Sequence, residues 1–243
     1  RFGLSVAISG NYAIVGAAMD GYKVGRAVLA VGSAYIFKRD NNIWSQKTKL
    51  LASDRENYDR FGKSVAISGN YAIVGAKGND DCGPNSGSAY IFERDSNGDW
   101  TQKIKLLASD GTGNDMFGFS VAISGDYAIV GTPYAGFNDH GAAYIFERDS
   151  NGLWGNAVAA GAAHNNGVDP QSYRTQTVKL KGGYDGSGNY DRFGYSVAIS
   201  GNYAIVGAYY DDSQKGSAYI FERDIDGNWG LAGGTINGTV YRT

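Results

Sequence analysis

Cysteine, proline and histidine are scarce in this chain of 243 residues, which contains one, three and two of them respectively. The single cysteine, Cys82, excludes an intramolecular disulfide framework. The two histidines, His140 and His164, stand outside any spacing that is typical of a metal site. No stretch approaches the roughly 18 apolar residues that a membrane-spanning helix needs, so we expect no transmembrane segment.

An excess of one charge is also absent, because 22 basic residues face 24 acidic ones and neither sign runs in blocks. Basic patches attract nucleic acid and anionic membranes, so neither is expected as a partner. The chain has no Gly-x-Ser-x-Gly motif, and Gly111-x-Gly113 is followed by Met116 where a dinucleotide-binding loop needs glycine. We therefore predict a protein that is not an enzyme and that requires no cofactor.

The chain is rich in glycine and tyrosine, and one motif occurs in it four times. The copy at 61–76 reads Phe-Gly-Lys-Ser-Val-Ala-Ile-Ser-Gly-Asn-Tyr-Ala-Ile-Val-Gly-Ala, and the others begin at Phe2, Phe117 and Phe193 with almost no change. Self-similarity of this kind predicts a repeat architecture. We divide a single domain, 1–243, into four repeats at approximately 1–60, 61–116, 117–192 and 193–243.

Each repeat is predicted to form four antiparallel strands. In the second repeat, large and small residues alternate in Ser64–Ser68, a tight turn follows, and Tyr71–Ala76 returns as the second strand. Ser88–Arg94 and the more polar Trp100–Leu107 are the third and outer strands. Four strands in a unit of nearly 60 residues are typical of a β-propeller blade, so the predicted fold class is all-β. One tryptophan at an equivalent position in each repeat is expected to pack and not to bind a ligand: Trp44, Trp100, Trp154 and Trp229.

The pairing of Phe-Gly with Val-Gly-Ala about a dozen residues later resembles the FG-GAP repeat, and the resemblance covers nearly the whole chain. FG-GAP repeats form the propeller heads of integrin α-subunits and occur in fungal lectins and secreted bacterial proteins. The resemblance implies a β-propeller, an extracellular or cell-surface location, and a binding role toward proteins, sugars or other ligands. In that family calcium occupies an acidic loop between the first and second strands of some blades. The corresponding loop here, Ser68-Gly69-Asn70, is too short to supply six or more oxygen ligands, so those sites are not expected.

The third repeat contains an insertion. Trp154 and Phe193 are 39 residues apart, against 17 for the equivalent pairs of the first two repeats, which places the insertion at approximately 155–175. Residues 173–175 are expected to lead into an outer strand at 176–180.

The fourth repeat ends before its outer strand, so the last blade is predicted to be incomplete. An unpaired strand edge can recruit a strand from another molecule, which makes self-association through the open blade an expectation. Two arrangements of the blades remain open. The four can close into a small ring, which we favour, or form part of a larger ring such as the seven-bladed one of integrins.

The loops that join an outer strand to the next Phe-Gly are acidic. Their oxygen-rich sequences are typical of calcium loops, but Asp and Asn also serve as turn residues that accept backbone N–H bonds, the interpretation that we favour. The candidate calcium ligands are Asp110, Asn114, Asp115, Asp185, Asn189 and Asp191.

The loops between second and third strands carry aromatic residues. Because strand direction alternates, these loops are predicted to lie on the same rim as the acidic loops. Aromatic rings beside Asp and Asn suit a protein hot spot or a sugar, whose C–H face stacks on a ring, although tyrosine also packs commonly at blade ends. The candidate ligand-binding residues are Tyr22, Tyr134, Phe137, Tyr209, Tyr210, Asp211 and Asp212.

From these features we predict a non-catalytic extracellular binding or adhesion module that presents one rim to a protein partner or to copies of itself. The alternative is a carbohydrate-binding lectin that uses the same rim.

Overall fold

The computed structural model describes residues 1–24, 27–157, 173–182 and 190–230. It consists of β-sheets arranged as four successive blades, which confirms the predicted all-β propeller fold. Within these ranges, helical structure is limited to the 3₁₀ turn Phe137–Asp139 and the short helix α1, Asp211–Gln214.

The strands follow the order expected of propeller blades. The first blade contains β1 (Ser5–Ser9), β2 (Tyr12–Ala17), β5 (Ser33–Asp40) and β6 (Ile43–Leu50), with the hairpin β3 (Tyr22–Val24) and β4 (Ala27–Leu29) inserted after β2. The second contains β7 (Ser64–Ser68), β8 (Tyr71–Ala76), β9 (Ser88–Arg94) and β10 (Trp100–Leu107). The third contains β11 (Ser120–Ser124), β12 (Tyr127–Thr132), β13 (Ala142–Glu147) and β16 (Val178–Leu180). The fourth contains β17 (Phe193–Ser200), β18 (Tyr203–Ala208) and β19 (Ser217–Glu222).

The first two strands of each blade form the predicted tight hairpin. In the second blade Ser68 pairs with Tyr71, and Gly69 between them has a φ of 57°. Glycine at the first turn position permits a positive φ whose twist matches that of the flanking strands. The register brings Ser64, at the start of β7, opposite Gly75, near the end of β8.

The repeated motif makes the contact between neighbouring blades. Ser64 donates its hydroxyl hydrogen to the carbonyl oxygen of Gly118 in the third blade, at 2.8 Å. A Cβ atom added to Gly75 would lie 2.1 Å from the same oxygen, so only glycine fits there. The same hydroxyl contact recurs between Ser5 and Gly62 and between Ser120 and Gly194.

The core consists of three apolar layers, each between two neighbouring blades. Ile73 and Ile91 of the second blade pack against Val121 and Ile123 of the third. Equivalent layers join the first blade to the second and the third to the fourth. Full burial of one such side chain contributes about 1.5–3 kcal/mol, so stacking of the blades stabilises the molecule.

In the second, third and fourth blades, one tryptophan packs against the preceding blade. This confirms the predicted packing role for three of the four tryptophans. The ring centroids of three edge-on pairs are 6.0, 5.5 and 5.8 Å apart: Trp100–Tyr12, Trp154–Tyr71 and Trp229–Tyr127. These three tryptophans are buried. Trp44, in the first blade, is exposed.

The first and fourth blades each present an apolar face to solvent. Val6 and Ile8 are 68% and 66% exposed, whereas the equivalent Val65 and Ile67 are buried. On the fourth blade, Ile205 is 41% exposed. Within the described ranges, the packing seen three times between neighbours is therefore not repeated between the fourth blade and the first. Because the described residues show no such packing, closure into a four-bladed ring and completion of a larger ring both stay predictions.

The fourth blade has three strands in the part of the chain that the structure describes. The incompleteness of this blade stays a prediction. Residues 231–243, which follow it in the chain, lie outside the described residues. Self-association through the edge of β19 stays a prediction.

The insertion differs from expectation where it is described. The outer strand of the third blade lies at Val178–Leu180, within the predicted 176–180. Residues 173–175 do not simply lead into it: they form a separate strand, β15 (Tyr173–Thr175), parallel to β10 of the second blade. A two-residue strand, β14 (Asn156–Ala157), pairs with β15. The Tyr173 side chain is fully buried, which explains why this segment docks on the neighbouring blade.

Candidate functional site

The acidic loops and the loops between second and third strands lie together on one rim. Backbone hydrogen bonds of 3.0, 2.7 and 3.0 Å join the two kinds of loop: Gly78 N–H to Asp59 O, Asn114 N–H to Pro84 O, and Tyr190 N–H to Asn138 O. The rim is therefore a continuous, hydrogen-bonded surface built on rigid blades.

Buried carboxylates close the turns of the acidic loops. Asp59 accepts a hydrogen bond from the backbone N–H of Glu56 at 2.7 Å, and Asp115 accepts one from that of Thr112 at 2.8 Å. Burial raises the pKa of Asp59 to about 6 and also raises the pKa of Asp115. These contacts match the turn-forming interpretation of the loops.

In a second group, each aspartate accepts hydrogen bonds from both a tyrosine and a lysine. Asp110 accepts hydrogen bonds from the Tyr144 hydroxyl, at 2.9 Å, and from the Lys179 ammonium. Burial alone would raise the pKa of Asp110, but these two hydrogen bonds outweigh it and lower the pKa. The second blade repeats the arrangement with Asp54, Tyr90 and Lys105.

The other candidate calcium ligands are dispersed. Asp191 lies 3.1 Å from Nδ1 of His140, and Asn114 is exposed at a φ of 70°. Asp185 and Asn189 lie outside the described residues. Among the residues that the structure describes, no three His, Cys, Asp or Glu side chains are grouped to hold a metal ion. Calcium binding stays a prediction, and at Asp110 it requires displacement of Lys179.

The motif differs between repeats at two positions that meet on this rim. The first position directly follows Phe-Gly and holds, in chain order, Leu4, Lys63, Phe119 and Tyr195. The second position directly follows the last residue of the second strand and holds Ala18, Lys77, Pro133 and Tyr209. The register of each hairpin brings the two positions side by side, because the start of the first strand pairs with the end of the second. We call the following residues the inner-rim patch: Lys63, Lys77, Phe119, Tyr134, Tyr195, Tyr209 and Tyr210.

Aromatic rings run in a row across the third and fourth blades. The centroid distances are 4.8 Å from Phe119 to Tyr195, 4.3 Å from Tyr195 to Tyr209 and 4.6 Å from Tyr209 to Tyr210. Tyr134 contacts Phe119 at 6.1 Å. Tyr209 and Tyr210 are 45% and 37% exposed, so the row offers ring surface to a ligand.

Cations border the aromatic row. The ammonium nitrogens of Lys63 and Lys77 lie 4.8 and 5.5 Å from the centroid of Phe119. Burial, and then the positive charge of Arg60, lower the pKa of both lysines. At the other side, Arg192 stacks on Tyr134 at 4.0 Å and pairs with Asp139 at 3.1 Å.

The predicted ligand-binding residues are only partly brought together. Tyr134, Tyr209 and Tyr210 belong to the patch, whereas Asp211 is buried and accepts a hydrogen bond from the Tyr219 hydroxyl. The side chains of Tyr22, Phe137 and Asp212 lie outside the described residues. Sequence reasoning missed four members of the patch, and the signal for them was the variation within an otherwise constant motif: Lys63, Lys77, Phe119 and Tyr195.

A cavity of about 270 Å³ lies beside the patch, between the third and fourth blades. His140, Asp191, Lys181 and Tyr219 contribute to its wall. Cys82 lies elsewhere on the rim, and burial followed by the charge of Asp81 raises the pKa of its thiol to about 11. The thiol is therefore protonated near neutral pH and is a poor nucleophile.

A family model described as FG-GAP repeat matches the chain four times, at 1–37, 44–92, 100–146 and 175–221. Three of these units begin near or within an outer strand and end within a third strand, so they are offset from the blades by one strand. No curated protein matches the chain in sequence. None of the helices in the described ranges has the length and apolar character needed to cross a bilayer.

A solved structure from Bacteroides uniformis, titled "putative 6-phosphogluconolactonase", shares the fold with a TM-score of 0.50 and 12% sequence identity. The similarity covers 88% of this chain and 50% of that protein, so the chain spans about half its length.

Proposed function

Because the chain belongs to the FG-GAP repeat family, we propose that it is a non-catalytic binding or adhesion module that acts outside the cell or at its surface. The inner-rim patch contacts a protein partner. The observation that carries this proposal is the exposed aromatic row, in which Tyr195, Tyr209 and Tyr210 stand in mutual contact on rigid strands and on the loop beside them.

Tyrosines in such a position suit protein recognition. A tyrosine side chain buries a large area at a small entropy cost, and aromatic residues dominate interface hot spots. Contact between the rings holds Tyr209 between Tyr195 and Tyr210, so little ordering is needed on binding. The residues that differ between repeats lie at the ends of hairpins whose sequence is nearly constant. Repeat proteins commonly carry their binding surfaces on such a constant scaffold.

The lectin alternative is favoured by one feature. Tyr209 and Tyr210 meet at an interplanar angle of 89°, and both remain partly exposed. Two perpendicular rings form a corner against which the C–H face of a sugar can stack. The similarity to the Bacteroides structure, at 12% sequence identity, shows the fold alone.

The proposal predicts that peptide ligands depend on the patch tyrosines. Short random peptides displayed on phage are selected against the wild-type chain, and the affinities of selected peptides are measured by fluorescence anisotropy. The double variant Tyr209→Ala/Tyr210→Ala is expected to lose about 30-fold or more in affinity, the effect of removing a hot spot worth about 2 kcal/mol. Tyr203→Ala, which removes an exposed tyrosine at the opposite rim, is expected to bind as wild type does.

Selected peptides that bind the double variant as well as wild type would contradict the proposal, as would a selection that yields no binder. A glycan array, run with calcium and again with a chelator, tests the alternative. Binding to a defined sugar class that is lost in Tyr209→Ala/Tyr210→Ala would favour the lectin, and dependence on calcium would support metal sites in the acidic loops.

A further inference from the structure

Lys63 and Lys77 of the inner-rim patch, together with the neighbouring Arg60, form its cationic end. Among the described residues, no carboxylate forms an ion pair with Arg60, Lys63 or Lys77. The Lys77 ammonium donates a hydrogen bond to the Met116 sulfur, at 3.2 Å.

Six other lysines each form an ion pair with a carboxylate: Lys38, Lys47, Lys49, Lys103, Lys105 and Lys179. The distances are 2.8 Å for Lys49–Asp20, 2.8 Å for Lys103–Glu93 and 2.6 Å for Lys105–Asp54. The chain has more acidic than basic residues, so carboxylates are not in short supply. What distinguishes Lys63 and Lys77 is that both ammonium groups lie beside one exposed aromatic row, against the ring of Phe119.

The Lys63 and Lys77 ammonium groups both lie within 5.5 Å of the Phe119 ring centroid, and like charges this close together raise the free energy of the unbound protein. Burial, and then the charge of Arg60, lower the pKa of both lysines, and the charge of Lys63 adds to the lowering at Lys77. An anion at this place removes the repulsion and gains Coulomb energy in a partly dehydrated site. The Phe119 ring, 4.8 Å from the Lys63 ammonium and 4.8 Å from the Tyr195 ring, joins the cationic end of the patch to the aromatic end.

We propose that the inner-rim patch binds an acidic segment of a protein partner, with carboxylates on Arg60, Lys63 and Lys77 and an aromatic or large apolar side chain on Phe119 and Tyr195. This inference rests on the proposed function and names the chemistry of the partner. The cationic and aromatic ends are separated by one ring, so the carboxylates and the apolar residue lie within a few residues of each other in the bound segment, given about 3.3 Å per extended residue.

The test uses two synthetic peptides labelled with fluorescein. One carries several glutamates followed closely by phenylalanine, and the other has glutamine in place of every glutamate. Wild type is expected to bind the glutamate peptide about tenfold or more tightly than the glutamine peptide at low salt, with the preference falling as salt is added.

Variants that each remove one positive charge test which lysines cause the preference for the glutamate peptide. Lys63→Gln and Lys77→Gln are each expected to reduce the preference for the glutamate peptide several-fold. Lys47→Gln makes the same charge change on the outer strand of the first blade and is expected to leave the preference intact. Unchanged thermal midpoints for all three variants show that the fold is retained.

Equal affinity for the two peptides, absence of binding by both, or an equal loss in Lys47→Gln would overturn the inference. These results are distinct from failure of the proposed function. If both peptides bind equally and both are lost in Tyr209→Ala/Tyr210→Ala, the patch is a binding site without acidic preference; if phage selection yields no binder, the proposed function itself fails.

Discussion

Asp59 illustrates how a side chain typical of a metal ligand can serve the fold. Its carboxylate is 2% exposed and is held against the backbone N–H of Glu56, so it faces the turn that it closes. Burial disfavours the charged form and raises the pKa to about 6, above the value of 3.8 for an exposed aspartate. The carboxylate therefore binds its proton more tightly in the folded chain than in the unfolded chain.

This shift predicts a pH dependence of stability. The contribution of Asp59 is fully favourable below the unfolded pKa of 3.8 and is lost as the pH rises through about 6, a change of about 3 kcal/mol. Asp59→Asn cannot ionise, so its free energy of unfolding is expected to rise relative to wild type between pH 4 and pH 7. Urea denaturation across this range measures the difference. A difference that stays constant with pH would contradict the assignment.

The role of a single residue could be predicted from the sequence only where the pattern within one repeat determines that role. Turn glycines such as Gly69 and packed tryptophans such as Trp100 follow from local pattern and repetition. The contact between Lys63 and Phe119 could not be predicted in this way, because the two side chains meet across a blade boundary and neither position stands out within its own repeat. Asp211 was misplaced for the same reason: burial under Tyr219 depends on tertiary packing.

Contacts between blades depend on a small set of motif atoms. Gly75 and Gly131 would each place a Cβ atom about 2 Å from a carbonyl oxygen of the following blade, at 2.1 and 2.0 Å. Gly207 occupies the same position in the fourth blade, but the nearest atom to its Cβ is the movable Ser196 hydroxyl, at 2.4 Å. The same glycine is therefore present in all four repeats, but the space around it differs in the last.

This difference predicts unequal costs for one substitution. Gly75→Ala is expected to destabilise the protein by about 3 kcal/mol or more, because the backbone of the next blade must move. Gly207→Ala is expected to cost clearly less, since a side-chain rotation relieves the contact. Chemical denaturation of both variants measures the two losses. Equal losses would show that another blade covers the fourth in solution.

Strands within blades were predictable from the sequence, and strand exchange between blades was not. The alternating pattern and hairpin turn locate β7 and β8 without further information. Strand β15 has only three residues, and its pairing partner, β10, belongs to the second blade. So short a segment carries no periodicity, and its position is set by the burial of Tyr173.

At the scale of the whole molecule, four stacked blades expose apolar faces at both ends and a charged, aromatic patch on one rim. Repetition predicted the stacking, because each blade buries a face on its neighbour. The repeat count left two arrangements open, a ring of four blades and part of a larger ring, so the sequence could not decide whether Val6 and Ile205 are covered. The patch spans the second, third and fourth blades and exists only because they are stacked.

Hydrogen exchange of the chain, alone and with a patch-dependent peptide from the phage selection, tests the central claim that the inner rim is the binding surface. The account predicts added protection at the rim ends of the hairpins, in 61–64, 75–78, 117–120 and 193–196, and none at the opposite turn, 68–71. Protection confined to that opposite turn, or to the exposed face of the first blade, would contradict it.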